Sequence, residues 1–408
     1  MLIEIHMLQN HAPANLNRDD TGSPKDCIFG GVRRARISSQ CLKRTIRRSP
    51  IFAAELGIEL GVRTRQLPEL VRKRLVERGI PEEIAAIVAQ KASGFGNKEG
   101  REQQAGETAQ VMFLSPADIE AVVDSLFEVA QGLSSPDEAK KVSPKDIERS
   151  IGRKGWRPIT PDIALFGRMI TSEAFRDVEA SVQVAHAIST HKMEHEFDYF
   201  TAVDDLLRPQ EAEDERGAGM IGDVEFNSAC YYKYFSIDFD GLVDNLAGPA
   251  PEPGATPEEQ ERYAAARREA EAVARRTVLA FLKAAVFTTP SGKQNSFAAH
   301  QLPDAILVEV RPYPTPVSYA NAFVKPVPVS TNWGDEDQGG RSRDLVEQSI
   351  LQLKEHVEKL TRKFSLQSIA RLWFTTRDVE VAGTTFCDTL DDLTGQLAAV
   401  LEERARHG

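Results

Sequence analysis

A helix-rich stretch from about Val62 to Lys145 separates two parts of the chain that carry strand patterning. Before it, in the segment Leu2 to Leu8, Ile3, Ile5 and Met7 alternate with Glu4, His6 and Leu8, as expected for a strand. After it, the strongest strand pattern is CYYKYFSIDFD at 230–240. Strands and helices in this order do not alternate as they do in a doubly wound βαβ fold. The sequence therefore predicts an α+β fold with a helical insertion.

Local signals predict several further elements. Ser38 or Ser39 is placed to cap a helix that runs through QCLKRTIRR and stops at Pro50, with Leu42 and Ile46 on its apolar face. The alternation in the segment 231–237 predicts a sheet that is packed on one face. Later in the chain we expect a long helix, a strand and two helices, at about 258–287, 305–310, 343–362 and 389–404.

The charge is unevenly distributed along the chain. The formal net charge is -11, which taken alone argues against a nucleic-acid binder. From Cys27 to Ala54, however, there is no acidic residue, and all seven charged residues are Lys or Arg. From Glu194 to Glu225 there are eleven acidic residues and only two arginines. A basic surface and an acidic arm suit both RNA binding and self-association, although a solvated charged face is the alternative for the basic block.

Other features exclude several classes of protein. The four cysteines are scattered, without a CxxC pair for zinc or a dense disulfide framework, and this usage indicates a reducing cytoplasm. The opening MLIEIHML lacks the pattern of a secretory signal, and no apolar run is long enough to span a membrane. Gly30 and Gly31 indicate a tight turn, since no phosphate-loop motif lies near them.

The block NLNRDDTGSPKDCIFGGVRRARISSQCLKRTIRR closely resembles the CasC family of type I-E CRISPR complexes. The segments GRM (167–169), AHAISTHK (185–192), DYFTAVDDL (198–206), PSGKQNSFAAH (290–300) and SYANAF (318–323) repeat the pattern of that family in the same order. The resemblance runs from residue 1 to about 323, is weaker in the helical insertion, and is weakest in the last eighty or so residues.

The resemblance implies a modified RRM-like (ferredoxin-like) palm with a helical fingers insertion and a β-hairpin thumb. It implies a non-catalytic subunit that oligomerises head to tail along a CRISPR RNA (crRNA) and holds it for pairing with target DNA. Its partners would be the crRNA, further copies of itself, and the large, small and crRNA-end-binding subunits of a Cascade complex. No cofactor is implied. The implied segments are palm 1–61 with the basic block, fingers 62–160, palm 161–190, thumb arm 191–228, palm 229–330 with a linker and long helix, and a C-terminal helical segment 331–408.

The same resemblance implies which residues contact the guide RNA. They are polar or cationic side chains that can bind phosphate without regard to base. Carried over residue by residue, they are Asn17, Arg18, Lys25, Arg34, Ser38, Gln40, Lys43, Arg44, Arg47, Arg168 and Lys293.

Two short motifs leave enzymatic alternatives open. HKMEH at 191–195 matches the His-x-x-Glu-His zinc signature, although strand-like residues follow at once where a helix is required. Asp19 and Asp20 are adjacent carboxylates that could position a metal or activate a 2′-hydroxyl, or simply hydrogen-bond their own turn. A third possibility is a structural filament protein that binds no RNA. For both motifs we favour the non-catalytic interpretation.

Overall fold

The computed structural model describes residues 1–97, 106–133, 135–202, 220–329 and 343–407 of the chain. These residues form two compact units. The first comprises Met1–Phe52, Val184–Ser236 and Phe281–Gly408, and the second comprises Ala53–Gln183 and Ile237–Ala280. The most acidic part of the predicted arm, at 203–219, lies outside the described residues.

The strands and helices confirm an α+β architecture. The strands are β1 Leu2–Ala14, β2 Asp26–Phe29, β3 Val32–Ile37, β4 Val62–Thr64, β5 Met112–Leu114, β6 Val182–Val184, β7 Ala187–Ser189, β8 Glu196–Ala202, β9 Met220–Asp238, β10 Ala305–Arg311, β11 Ala370–Thr375 and β12 Thr385–Phe386. The α-helices are α1 Ser39–Arg47, α2 Pro50–Leu56, α3 Leu67–Glu77, α4 Glu82–Gln90, α5 Pro116–Gln131, α6 Pro136–Lys140, α7 Pro144–Arg153, α8 Pro161–Phe166, α9 Phe239–Ala247, α10 Pro257–Phe287, α11 Gln294–Phe297, α12 Leu345–Phe364 and α13 Leu390–His407. Short 3-10 helices span Lys91–Gly94 and Ala320–Phe323.

One large sheet is the centre of the first unit, which also contains α1, α12 and α13. Its strand order is β12-β11-β10-β1-β9-β7-β3-β2. The pairs β1–β10, β10–β11, β7–β9, β3–β7 and β2–β3 are antiparallel, whereas β11–β12 is parallel. The sheet therefore brings residues from the start, the middle and the end of the sequence side by side.

Both faces of the central strand β9 are covered, so the expectation of a sheet packed on one face is wrong. All residues from Tyr231 to Ile237 are buried. Tyr232 and Tyr234 pack in a cluster with α12 on one face. On the other face, the ring of Phe235 lies 5.3 Å from that of Phe281. The prediction failed because Tyr and Lys count as polar in a period-two pattern, although their long side chains reach partners inside the protein.

A network of charged groups is buried within this sheet. Glu4 and Glu309 bind the guanidinium of Arg311, and Glu309 also binds Arg371 at 2.8 Å. The Tyr234 hydroxyl donates to Glu4 at 2.6 Å. Glu4, Glu309 and the neighbouring His6 are the one group of ligating side chains in the described part of the chain that is close enough to hold a metal ion. Since two arginines already neutralise the two carboxylates, the arrangement is that of a structural ion-pair network.

The C-terminal segment, predicted as helical, also contains a strand. The helices α12 and α13 confirm the two predicted helices, but β11 lies between them and pairs with β10, with Trp373 opposite Leu307. The run ARLWFT is short, and its pairing partner lies some sixty residues earlier in the sequence. Local patterning cannot reveal such a long-range partner.

The second unit contains the predicted helical region. Leu67, Val71 and Leu75 of α3 pack in one apolar cluster with Val122 and Leu126 of α5, which confirms the helical spacing. The compact unit extends from 53 to 183 and includes 237–280, so it divides the chain differently from the predicted segments. Across the described residues, the structure contains no helix that is long and apolar enough to cross a membrane.

The predicted arm begins as a β-hairpin. Strands β8 and β9 pair antiparallel, from Glu196 opposite Phe226 to Ala202 opposite Met220. The connection between them, which would be the thumb tip, is outside the described residues.

Candidate nucleic-acid interface

Helix α1 carries the central part of the basic block. Ser38 caps it as predicted, because the Ser38 Oγ accepts a hydrogen bond from the Cys41 amide at 3.3 Å. Leu42 and Ile46 are buried and hold the helix against the core. The first turn contains no acidic residue, so the positive end of the helix dipole is not neutralised within the helix. The polar side of α1 consists of the exposed Gln40 and Arg44 and the half-buried Lys43 and Arg47.

The loop before β2 is fixed to the start of this helix. The Asn17 Oδ1 accepts a hydrogen bond from the Ser38 amide at 2.8 Å, and the Lys25 amide donates to the Asn17 carbonyl at 2.8 Å. Burial raises the pKa of the Cys41 thiol, and the nearby charges of Arg44 and Lys25 act in the opposite direction. Lys25 and Arg44 thus both lie near the half-buried thiol of Cys41, in the first turn of α1.

The loop that contains Lys293 lies against the same segment. A Cβ atom on Gly292 would come within 2.4 Å of the Leu16 carbonyl oxygen and 2.5 Å of the Asn15 carbonyl oxygen, so only glycine permits this approach. The next residue, Lys293, has a φ of 51° and is half-buried. Gly292 and the exposed Arg18 line one polar hollow.

The structure therefore places most of the predicted contact residues on accessible parts of the first unit. We call this set the basic surface. Its members are Asn17, Arg18, Lys25, Gln40, Lys43, Arg44, Arg47 and Lys293.

Arg34, a predicted guide contact, is instead fully buried. Its guanidinium donates to the carbonyls of Phe29, Ser189, Phe323 and Val324 at 2.7 to 3.3 Å. A guanidinium donates in a planar fork, and here the fork is filled by backbone oxygens from three separate segments. The geometry gives Arg34 a structural role in joining these segments.

Two other predicted contacts are also buried. Ser38 is 6% exposed, and its hydroxyl caps α1. Arg168 belongs to the second unit, where its guanidinium lies 2.6 Å from Asp118 and also donates to the carbonyls of Phe113 and Arg176. Both side chains are thus engaged within the chain.

Two basic residues that were not among the predicted contacts border this surface. The Arg36 amide donates to the Lys25 carbonyl at 2.9 Å, and the Arg36 guanidinium lies 3.1 Å from Nδ1 of the exposed His186. Arg36 stands within the basic block, and His186 within the segment AHAISTHK. The signal that would have found them is the pairing of β3 with β7, which sequence alone does not give.

The first of the adjacent carboxylates, Asp19, stabilises its own turn. Its Oδ1 accepts hydrogen bonds from the Thr21 amide, the Thr21 hydroxyl and the Ser23 amide at 2.8 to 3.0 Å. The hydrogen bond from the Thr21 side chain is the main cause that holds the pKa of Asp19 below its usual range. This is the turn-forming interpretation of the pair.

The segment HKMEH does not adopt the conformation that its zinc signature requires. Residues 191–195 are not helical. Burial lowers the pKa of His191 to about 4, and the imidazole of His195 pairs with the carboxylates of Glu225 and Asp26. Because the signature needs two histidines one helical turn apart, this segment matches the zinc signature in sequence but not in structure.

Comparisons with known proteins agree with this fold. A family model described as "CT1975-like protein" matches residues 3–400. A search of curated proteins found no match. A solved chain described as "CRISPR RNA-guided surveillance complex, pre-nicking" is 28% identical, with a TM-score of 0.76, and the match covers 98% of this chain and 100% of that one.

A second solved chain, described as "CRISPR RNA-guided surveillance complex", is 22% identical with a TM-score of 0.57, over 98% of this chain and 99% of that one. At that identity the likeness shows the fold alone. The first match shows structural similarity, over the whole length, to a chain of an RNA-guided surveillance complex. With the family match extending over nearly the entire sequence, the chain belongs to the CT1975-like protein family.

Proposed function

We propose that this chain is the repeated, crRNA-binding backbone subunit of a CRISPR surveillance complex of the type I-E, CasC kind. In this role it holds the guide RNA for pairing with target DNA, together with the other Cascade subunits. The observation that carries the proposal is the basic surface: side chains from α1, the 15–25 loop and the Lys293 loop converge on one unit of a protein whose net charge is -11. A likeness to a chain of an RNA-guided complex supports the same role.

The chemistry of the surface suits a backbone contact rather than base reading. Lys and Arg neutralise phosphates, and the amide groups of Asn17 and Gln40 add hydrogen-bonding capacity. The N-terminus of α1, whose first turn has no acidic residue, adds a partial positive charge near Lys25. A protein that must hold guides of any sequence needs contacts of this kind, because base pairing supplies the specificity.

Head-to-tail oligomerisation is part of the proposal. The arm between 194 and 225 is strongly acidic in sequence, and the basic surface is its electrostatic complement. A hairpin at the base of this arm supports a thumb that reaches a neighbouring copy. The RRM-like description of the sheet likewise stays a prediction.

We also propose that the subunit is non-catalytic. The hydrogen bonds that Asp19 accepts within its own turn support this view, as does the non-helical conformation of HKMEH. Cutting of target nucleic acid would then belong to another component.

Charge reversal on α1 tests the proposed function. We expect the triple variant Lys43→Glu, Arg44→Glu, Arg47→Glu to lose guide RNA when it is purified with the other subunits and a CRISPR array. Each phosphate contact that is lost lowers the salt dependence of RNA binding by about 0.7 in log–log slope. The measurement is the amount of RNA per protein after purification.

A matched control is available on another helix of the first unit. Lys359, Arg362 and Lys363 are exposed near the C-terminus of α12, just as the three test residues lie toward the C-terminus of α1. Reversing them disturbs the helix dipole in the same way. RNA retention should survive in this control, and unaltered retention in the α1 variant would place the guide elsewhere.

A further inference from the structure

Three basic groups meet where β2, β3 and β7 lie side by side. Lys25 immediately precedes β2, Arg36 lies on β3, and His186 immediately precedes β7. Arg36 is opposite Ile188 in the β3–β7 ladder, which puts His186 and Arg36 diagonally on one face of the sheet. The distance from the Arg36 guanidinium to His186 Nδ1 is 3.1 Å. Two of the three groups are absent from the contacts that the family resemblance implies.

The hydrogen bond between Arg36 and His186 defines the protonation of the imidazole. A guanidinium can only donate, so Nδ1 of His186 must be the unprotonated acceptor and the ring is neutral. Burial, followed by the charges of Arg36 and Lys25, lowers the pKa of His186. Burial and the cationic neighbours thus both favour the neutral form of the imidazole.

Among the residues that the structure describes, the cluster has no carboxylate as a counter-ion. Across the described residues, no carboxylate forms an ion pair with Lys25, Arg36 or His186; the nearby Asp26 carboxylate binds Arg33 and His195 instead. The other groups close to it are Cys27 on β2, Arg34 on β3, Cys41 and Arg44 on α1, and Lys233 on β9. Burial raises the pKa of both thiols. These residues therefore add positive charge or none.

We propose that Lys25, Arg36 and His186 form a binding site for one phosphate group of the guide RNA, and that His186 takes up a proton when this phosphate binds. The inference rests on the proposed function and deepens it. A phosphate oxygen would accept the hydrogen bond from Arg36 that Nδ1 now receives, and its negative charge would favour a proton on the freed nitrogen. Because binding takes up a proton, affinity rises as the pH falls toward the pKa of the free imidazole.

The test is fluorescence anisotropy of a labelled single-stranded RNA with the full chain, over a series of salt concentrations at about pH 6 and about pH 7.5. We expect the log–log salt slope of the wild type to be steeper at the lower pH, by at most about 0.7, because the protonated His186 completes the neutralisation of this one phosphate. His186→Gln should abolish this difference and weaken binding at the lower pH about fivefold. Arg33→Gln is the control, since Arg33 is on the same strand but binds Asp26.

A second readout separates this inference from the proposed function. The pKa of the His186 imidazole is followed by NMR with and without inorganic pyrophosphate, with His186→Gln identifying the resonance. A rise in this pKa that is lost in Arg36→Gln supports the phosphate site, whether or not the isolated chain binds RNA. RNA binding with equal salt slopes at the two pH values would refute the His186 site and leave the proposed function intact. If the chain binds no RNA and the pKa of His186 does not rise with pyrophosphate, both the phosphate site and the proposed function are overturned.

Discussion

Arg34 shows how a residue in a basic block can serve the fold rather than the ligand. Its side chain is fully buried, whereas that of its neighbour Arg33 is 53% exposed and pairs with Asp26. The guanidinium of Arg34 connects the end of β2, the strand β7 and the 3-10 helix Ala320–Phe323 through their carbonyl oxygens. The blocks FGG.RR and SYANAF, far apart in sequence, are thus in direct contact.

The two arginines therefore predict opposite results on stability. Arg34→Ala leaves several buried carbonyls without a donor, and we expect it to lower the free energy of unfolding by about 3 kcal/mol. Arg33→Ala removes a surface ion pair and should change it by less than about 1 kcal/mol. Urea denaturation followed by circular dichroism measures both. Equal stability of the two variants would show that the buried hydrogen bonds of Arg34 contribute little.

At the scale of elements, the hairpin β2–β3 depends on its two glycines to different extents. Gly30 has a φ of 63° and Gly31 a φ of 80°, which other residues adopt only with strain. A Cβ atom on Gly30 would lie 1.8 Å from the carbonyl oxygen of Val324, whereas one on Gly31 would meet nothing within 4 Å. The turn is therefore packed against the chain on one side and open on the other.

Alanine at each glycine separates backbone strain from steric conflict. We expect Gly31→Ala to cost about 1 kcal/mol of stability, the strain of a left-handed residue. Gly30→Ala should cost at least about 2 kcal/mol more, because the strands and the Val324 segment must also move apart. Thermal unfolding of the two variants is the measurement, and a smaller loss for Gly30→Ala than for Gly31→Ala would contradict the packing.

Local patterns predicted the individual elements better than their arrangement. Capping by Ser38 and the apolar face of α1 could be predicted because both depend on residues within one helical turn or two. The same holds for the long helix α10 and the strand β10. Strand β11 and the burial of both faces of β9 could not be predicted, because each depends on partners far away in sequence.

The candidate site was predictable to a similar degree. The polar side of α1 follows from helical spacing, so Gln40, Lys43 and Arg44 are accessible as expected. Arg34 and Arg36 alternate with Arg33 along one strand, but strand geometry alone cannot tell which side chain finds carbonyl partners and which finds a histidine. Only the pairing of β3 with β7 decides that difference.

At the scale of the whole molecule, the distribution of charge reconciles an acidic protein with RNA binding. The net charge of -11 describes the sum over the chain, while affinity for phosphate depends on the local density of Lys and Arg. The basic surface belongs to the first unit and is supported by a sheet with both faces of its central strand buried. A rigid support suits a subunit that must hold each guide in the same geometry.

The measurement that most directly tests the proposed function is the sequencing of nucleic acid that purifies with the chain when it is produced with its neighbouring genes and a CRISPR array. We predict short RNA of uniform length with ends derived from the CRISPR repeat, and an absorbance ratio of the purified complex that is above that of protein alone. A pure protein without RNA, from cells in which the processed guide is present, would contradict the account.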